Sequence, residues 1–182
     1  MKYHFESDAT RPNPLLTERA RSESFIPVTE DGKVVLVKQY RIGISSHTLE
    51  VPGGVSDPDD SDNLAAAVRE MEEETGYSPL PGAQCRKLGW SHPNPAILDN
   101  TCHSFVIGPV KKVREQNLDA GEMIEIVEVP ISQIPRMIQE RQISHALMLN
   151  AFFFLALDSD QTSSALAREL NSFTREQPPK KD

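Results

Sequence analysis

The chain has 182 residues and a mass of 20.3 kDa, which suits a single domain with a sizeable core. Its net charge of −8 and pI near 5.2 argue against a nucleic-acid-binding surface. Cys85 and Cys102 give no disulfide framework and no zinc-binding spacing, so we expect a cytoplasmic protein. The N-terminus has no apolar signal-peptide region, and residues 151–157, the longest apolar run, are too few to span a bilayer. We therefore expect no membrane partner.

The N-terminal part of the sequence predicts an arm followed by three strands. Residues 1–23 are polar and contain Pro12 and Pro14, which indicates an extended arm. Asp31-Gly32 predicts a hairpin turn between the first two strands. The predicted strands cover residues 24–28, 34–40 and 48–51.

The rest of the sequence predicts more strands and a helical C-terminal part. Residues 78–82 indicate a connector that contains two prolines, and residues 91–100 indicate a turn-rich loop. The predicted strands cover residues 84–90, 101–107 and 125–129, and the predicted helices cover residues 131–141, 145–157 and 161–173. This order predicts an α/β domain, a mixed sheet with helices on both faces, over residues 24–173. Residues 174–182 are expected to form a tail.

Residues 53–77 concentrate charge, with eight carboxylates around one basic residue, Arg69. A helix is predicted over Asn63–Thr75, ended by Gly76. Three glutamates at i, i+3 and i+4 then share one helical face, where like charges cost roughly 0.2–0.5 kcal/mol per pair. A hard cation such as Mg²⁺ or Mn²⁺ removes that repulsion, whereas a solvated acidic face is the alternative interpretation. The three glutamates are Glu70, Glu73 and Glu74.

The same stretch resembles the Nudix box, the signature of the Nudix hydrolases. Its second half, REMEEETGY over residues 69–77, matches the family pattern at every defined position. The first half departs from the pattern, because the interval from Gly54 to Arg69 is one residue longer. The central glutamate is also absent, and Asp60 or Ser61 stands near its place. The resemblance implies the Nudix fold, an α/β/α sandwich, over most of the chain.

The resemblance also implies a metal-dependent hydrolase. Mg²⁺ or Mn²⁺ would bind at the box, and Arg69 would orient one of the box glutamates. In the branch of the family that acts on ADP-ribose and nucleotide sugars, a further loop glutamate serves as metal ligand or general base. Glu122 best matches that glutamate, and Glu125 is the alternative. The implied metal ligands are the Gly53 carbonyl, Glu70, Glu73, Glu74 and Glu122, and the implied catalytic residues are Arg69, Glu73, Glu74 and Glu122.

Features outside the box resemble the same branch. The second predicted strand ends in Gln39-Tyr40-Arg41, and a glutamate precedes the box glycines. A proline about sixteen residues after the box is also typical of the branch. The implied substrate-binding residues are Gln39, Arg41, Glu50, Pro93 and Asn94.

These features predict hydrolysis of the pyrophosphate of ADP-ribose or a nucleotide sugar, giving a nucleoside monophosphate and a sugar phosphate. The alternatives are a nucleoside triphosphate or RNA-end pyrophosphohydrolase, and a non-catalytic nucleotide-sensing module. The expected partners are a small-molecule nucleotide and a second copy of the chain, in a homodimer. Residues 1–23 or the run Phe152-Phe153-Phe154 would reach the second copy. Trp90 and these phenylalanines are otherwise expected in the core rather than as a platform on which a nucleobase stacks.

Overall fold

The structure, a computed structural model, describes residues 21–56, 63–118 and 123–158. These residues form strands and α-helices, with 3₁₀ turns at Ile42–Ile44 and Ile131–Gln133. In chain order the elements are β1 (Arg21–Thr29), β2 (Lys33–Arg41), β3 (Ser46–Glu50), β4 (Val55–Ser56), α1 (Asn63–Thr75), β5 (Tyr77–Ser91), β6 (Thr101–Lys112), β7 (Ile124–Pro130), α2 (Ile134–Gln139) and α3 (Ala146–Leu157). No helix in these ranges is long and apolar enough to cross a membrane.

The strands form a mixed sheet, as the sequence predicts. Its main order is β3-β2-β1-β6-β5, while β4 pairs with β1 and β7 pairs with β2. Strands β1 and β6 run parallel, and the other pairs are antiparallel. The β1–β2 hairpin turns at Gly32, whose φ of 77° fits the predicted Asp31-Gly32 turn.

Helices cover both faces of the sheet. Neighbouring strand residues point in opposite directions, so one strand contributes side chains to the core on each face. Phe25 packs in a cluster with Met71 of α1, whereas Ile26 packs in a second cluster with Phe152 of α3. Each of these side chains is almost completely buried. The fold is therefore the expected α/β/α sandwich, and Met71 packs α1 against one face of the sheet.

Helix α1 has the bounds that the sequence predicts. Gly76 ends it in the left-handed conformation, with φ of 74°. A Cβ atom at Gly76 would lie 2.2 Å from the carbonyl oxygen of Arg114, so a side chain cannot fit there. The carboxylates of α1 consequently keep a fixed position relative to β5, which begins at the next residue.

Several predicted boundaries are wrong. Strand β1 begins at Arg21, three residues before the expected start and inside the predicted arm. Residues 78–82, expected to be a connector, belong to β5, where a register shift between Pro79 and Gln84 accommodates the prolines in a bulge. The predicted helix at 131–141 is α-helical only over Ile134–Gln139. Residues 1–20, 159–182 and the predicted helix at 161–173 lie outside the described residues.

Candidate active site

The Gly53-Gly54 turn is locked against β1 by backbone hydrogen bonds. The carbonyl oxygen of Gly54 accepts a bond of 2.9 Å from the N–H of Glu23, and that of Pro52 accepts one from Phe25. A Cβ atom at Gly53 would lie only 2.1 Å from the Glu23 carbonyl oxygen. Only glycine allows this close approach, so the turn forms a rigid backbone edge beside α1.

The predicted box glutamates meet this turn. A carboxylate oxygen of Glu74 accepts a hydrogen bond of 3.1 Å from the N–H of Gly53. The carboxyl group of Glu70 lies 3.4 Å from where a Cβ atom at Gly54 would stand. The structure therefore places Glu70 and Glu74 beside the backbone that the sequence predicts as a metal ligand.

Arg69 holds two of the three glutamates. Its guanidinium donates to Glu70 and to Glu73, and each N···O distance is 2.9 Å. Bonding to both carboxylates reduces the repulsion between them and restricts their side-chain rotamers. That Arg69 orients a box glutamate around a metal ion stays a prediction.

The box carboxylates fit a hard divalent cation by their chemistry, since Mg²⁺ and Mn²⁺ prefer carboxylate and carbonyl oxygens. Within the described ranges, no three His, Cys, Asp or Glu side chains already stand in a metal-binding arrangement. Two of the carboxylates are bonded to Arg69 instead. Glu122, the remaining predicted ligand and base, and residues 57–62 lie outside the described residues.

Arg41 and Glu50, both predicted to bind substrate, bind each other. The guanidinium donates two hydrogen bonds, of 2.7 and 2.6 Å, to the Glu50 carboxylate, and Thr48 donates a third of 2.5 Å. The Glu50 side chain is 3% exposed and that of Arg41 is 47% exposed. Burial raises the pKa of Glu50, but the bonds from Arg41 and Thr48 outweigh burial and hold that pKa below its usual value.

The β2–β3 register explains this contact. Arg41 pairs with Ser46, Gln39 with Thr48, and Val37 with Glu50, so alternate residues of both strands share one face. Arg41 reaches back over Thr48 to the buried carboxylate. Glu50 therefore fixes the arginine, and direct contact of Glu50 with substrate stays a prediction.

A cavity of about 220 Å³ joins the two halves of the site. The glycine turn lies on one side, the Arg41–Glu50 pair on the other, and His145 at the start of α3 contributes to the wall. A larger cavity of about 490 Å³ lies around Thr29, Gln84 and Pro109, and none of the predicted site residues lines it. The smaller cavity is therefore the candidate active site. Its predicted residues are Gln39, Arg41, Glu50 and Gly53.

Pro93 and Asn94 do not line this cavity. They lie in the loop after β5, where the Asn94 carbonyl accepts bonds from the N–H groups of Ile97 and Leu98. The loop begins after Ser91, which pairs with Cys102, and Cys102 does line the cavity. The loop with Pro93 and Asn94 therefore begins at the end of the sheet where the cavity lies. Contacts of these two residues with substrate stay predictions.

Sequence reasoning gave His145 no role in the site and misjudged Trp90. His145 Nδ1 lies 3.5 Å from a Glu50 oxygen, although a single histidine before a helix gives no signal in the sequence. Trp90 was expected in the core but is 53% exposed and belongs to neither core cluster. Of the three consecutive phenylalanines, only Phe152 is fully buried, and Phe153 is 59% exposed.

Glu125, the alternative to Glu122, is an exposed residue of β7. Its carboxylate forms an ion pair of 2.8 Å with Lys38, and the two residues are register partners. This contact lowers the pKa of Glu125 through the hydrogen bond from Lys38. Glu125 therefore already has a partner on the sheet surface.

Comparison with known proteins agrees with this geometry. The family model described as "NUDIX domain" matches residues 19–152. The "ADP-ribose pyrophosphatase" of Bacillus subtilis (strain 168) is 28% identical over 133 residues, which cover 72% of this chain and 70% of that protein. The "Methanol dehydrogenase activator" of Bacillus methanolicus is 29% identical over 136 residues, covering 72% and 70%.

A solved structure titled "Crystal structure of ADP compounds hydrolase" has the same fold. It superposes with a TM-score of 0.67 at 20% sequence identity, covering 77% of this chain and 72% of that one. The match with the family model extends over most of the chain and includes the complete second half of the box. The chain belongs to the Nudix family.

Proposed function

We propose that the protein hydrolyses the pyrophosphate of ADP-ribose or another ADP-linked sugar, releasing AMP and a sugar phosphate, with a divalent metal ion. The observation that carries the proposal is the cavity that joins the Gly53-Gly54 turn, with its box glutamates, to Arg41. The printed names of the Bacillus subtilis relative and of the solved hydrolase support this substrate class.

Arg41 would bind the substrate diphosphate. Its guanidinium lines the cavity, and its two bonds to Glu50 fix the side chain before substrate arrives. Guanidinium groups make strong, directional hydrogen bonds to phosphate oxygens. Because Glu50 is buried and held ionised, Arg41 would keep its position over the ordinary pH range, which reduces the entropy lost on binding.

The box residues would bind Mg²⁺ or Mn²⁺ through Glu70, Glu73, Glu74 and the Gly53 carbonyl. Such an ion, when bound, neutralises phosphate charge and lowers the pKa of water. Arg69 would keep Glu70 and Glu73 oriented through its two ion pairs. Glu122 would accept a proton from the attacking water. The water oxygen would bond to phosphorus as the anhydride P–O bond breaks.

A product assay tests the proposal. The purified chain is incubated with ADP-ribose, an ADP-sugar, a nucleoside triphosphate and a 5′-triphosphate RNA, each with Mg²⁺, Mn²⁺ or a chelator. We expect AMP and ribose 5-phosphate from ADP-ribose, and no turnover with the chelator. Turnover of the triphosphates alone would overturn the substrate class, and no turnover of any compound would favour the nucleotide-sensing alternative. The Bacillus methanolicus relative is named as an activator of methanol dehydrogenase and not by a hydrolysed nucleotide, so the assay must measure the products directly.

A further inference from the structure

Trp90 is the single tryptophan of the chain, and more than half of its side chain is exposed. Its ring stands perpendicular to that of His92, with centroids 5.1 Å apart. A large aromatic side chain left open at the end of a strand gives up burial that would stabilise the fold. Its surroundings indicate what could cover it.

The neighbours of Trp90 in β5 define the direction in which it points. A Cβ atom at Gly89 would lie 2.9 Å from the ring of Phe154 in α3. Ser91 accepts a hydrogen bond of 3.3 Å from Asn150, also in α3. Because successive strand residues alternate, Trp90 points to the opposite face, the face that α1 covers.

A single row of paired residues connects Trp90 to the box turn. Trp90 pairs with His103, His103 pairs with Glu23, and the N–H of Glu23 donates to the carbonyl of Gly54. Paired residues point to the same face of a sheet. Three strand spacings separate the ends of the row, which is about 14 Å. That distance is similar in scale to an extended nucleoside diphosphate.

Gly54 faces the same side as this row. A Cβ atom there would point to the carboxyl group of Glu70 on α1. The row therefore runs from an exposed aromatic ring at one edge to the box glutamates at the other. Between them, the ammonium group of Lys87 lies 3.1 Å from Nδ1 of His103 on the sheet surface. Lys87 provides positive charge and His103 a polar contact where a ribose or phosphate would pass, and the Glu23 side of the row lines the candidate cavity with a residue that is 4% exposed.

We infer that Trp90 is the stacking residue for the nucleobase of the substrate, with the diphosphate extending along the row towards Gly54. This inference rests on the proposed function and adds the base-binding part of its site. Aromatic stacking recognises that a base is present and discriminates weakly between bases. A site built on Trp90 alone would therefore accept other nucleoside diphosphate sugars besides those of adenosine.

Tryptophan fluorescence tests the inference directly, because the chain has no second tryptophan. The metal-free protein is titrated with AMP and, separately, with ribose 5-phosphate. Stacking of adenine on the indole predicts saturable quenching by AMP and no quenching by ribose 5-phosphate. An unchanged spectrum with AMP at millimolar concentration would overturn the inference. This readout needs no turnover, so its failure is separate from failure of the proposed hydrolysis.

Steady-state kinetics supply a second measurement. Trp90→Ala should raise KM for ADP-ribose roughly tenfold while leaving kcat nearly unchanged, and Trp90→Phe should restore most of the affinity. Val113→Ala is the control, because it shortens another exposed apolar side chain. If KM of Trp90→Ala stays within about twofold of the wild-type value, or if the phenylalanine variant is no better, Trp90 does not bind the base.

Discussion

Arg41 and Glu50 are joined by a two-point ion pair in which the carboxylate is buried and the guanidinium is half exposed. The two residues therefore have different roles. Glu50 supplies a fixed negative charge inside the protein, and Arg41 carries the positive charge to the cavity wall. Removing the carboxylate should therefore disturb both stability and substrate binding.

The variant Glu50→Gln tests that relationship. Loss of the charge-assisted bonds should lower the free energy of unfolding at pH 7 by about 1–3 kcal/mol and raise KM more than it lowers kcat. Thermal unfolding and steady-state kinetics measure the two effects. Glu115→Gln, which changes an exposed carboxylate that does not line the cavity, should alter neither. An unaltered KM would show that Arg41 does not need Glu50 to bind substrate.

The same variant predicts a pH dependence. The folded-state pKa of Glu50 is lowered, so its contribution to stability is complete above the unfolded pKa of about 4.3 and is lost as pH falls through the folded value. The difference in Tm between wild type and Glu50→Gln should be constant near neutral pH and should shrink below about pH 4. A difference that grows in acid would contradict the lowered pKa.

The box glutamates make a separate prediction. Glu74→Gln keeps the shape of the side chain and its ability to accept from Gly53, but it removes one negative charge. We expect at least about a hundredfold loss of kcat, about 2.7 kcal/mol of transition-state stabilisation. Glu72→Gln is a matched control on the same helix, because Glu72 bonds to Ser78 instead. A folded Glu74→Gln protein with most of its activity would overturn the metal assignment.

Sequence reasoning worked best where one local pattern determines the outcome. The bounds of α1 and its glutamate face follow from helical periodicity and from Gly76, and the structure agrees with both. The Arg41–Glu50 contact could not be predicted, because it depends on which residues of β2 and β3 pair. The resemblance had assigned both residues to the site without relating them.

The exposure of Trp90 depended on an equally non-local property. Hydrophobic pattern predicts that a tryptophan in a strand packs against something, but it does not tell how far a helix extends over the sheet. Tyr77 and Cys85 of β5 pack in the cluster with Met71 of α1, whereas Trp90 of the same strand is exposed. For the three consecutive phenylalanines the sequence predicts that one core face cannot bury them all, but which of them is exposed depends on how α3 is rotated against the sheet.

Two acidic residues compete for the role of general base. We expect Glu122→Gln to lower kcat strongly while KM stays nearly unchanged, because a base acts in the transition state rather than in substrate binding. Glu125→Gln should have little effect, since Glu125 is paired with Lys38 on the sheet surface. The measurement is kcat and KM across the pH range. If Glu122→Gln has normal turnover and the acidic limb of its pH–rate profile is unchanged, the general base would be Glu125 or a box glutamate instead.

The last prediction is a homodimer formed through α3. Phe153 and Leu157 are both exposed and lie one helical turn apart, whereas Phe152 is buried and Phe154 contacts the Gly89 backbone. A second copy covering Phe153 and Leu157 would remove this apolar surface from water. Sedimentation equilibrium should give about twice 20.3 kDa for the wild type and about 20.3 kDa for Phe153→Asp.

Val113→Asp is the matched control for that experiment, because it places the same charge on an exposed apolar position outside α3. This variant should stay dimeric, because the added charge lies outside the proposed α3 interface. A wild-type mass near 20.3 kDa at micromolar concentration would exclude the dimer. A Phe153→Asp protein that stays dimeric, combined with dissociation after deletion of residues 1–20, would place the interface on the N-terminal arm instead of α3.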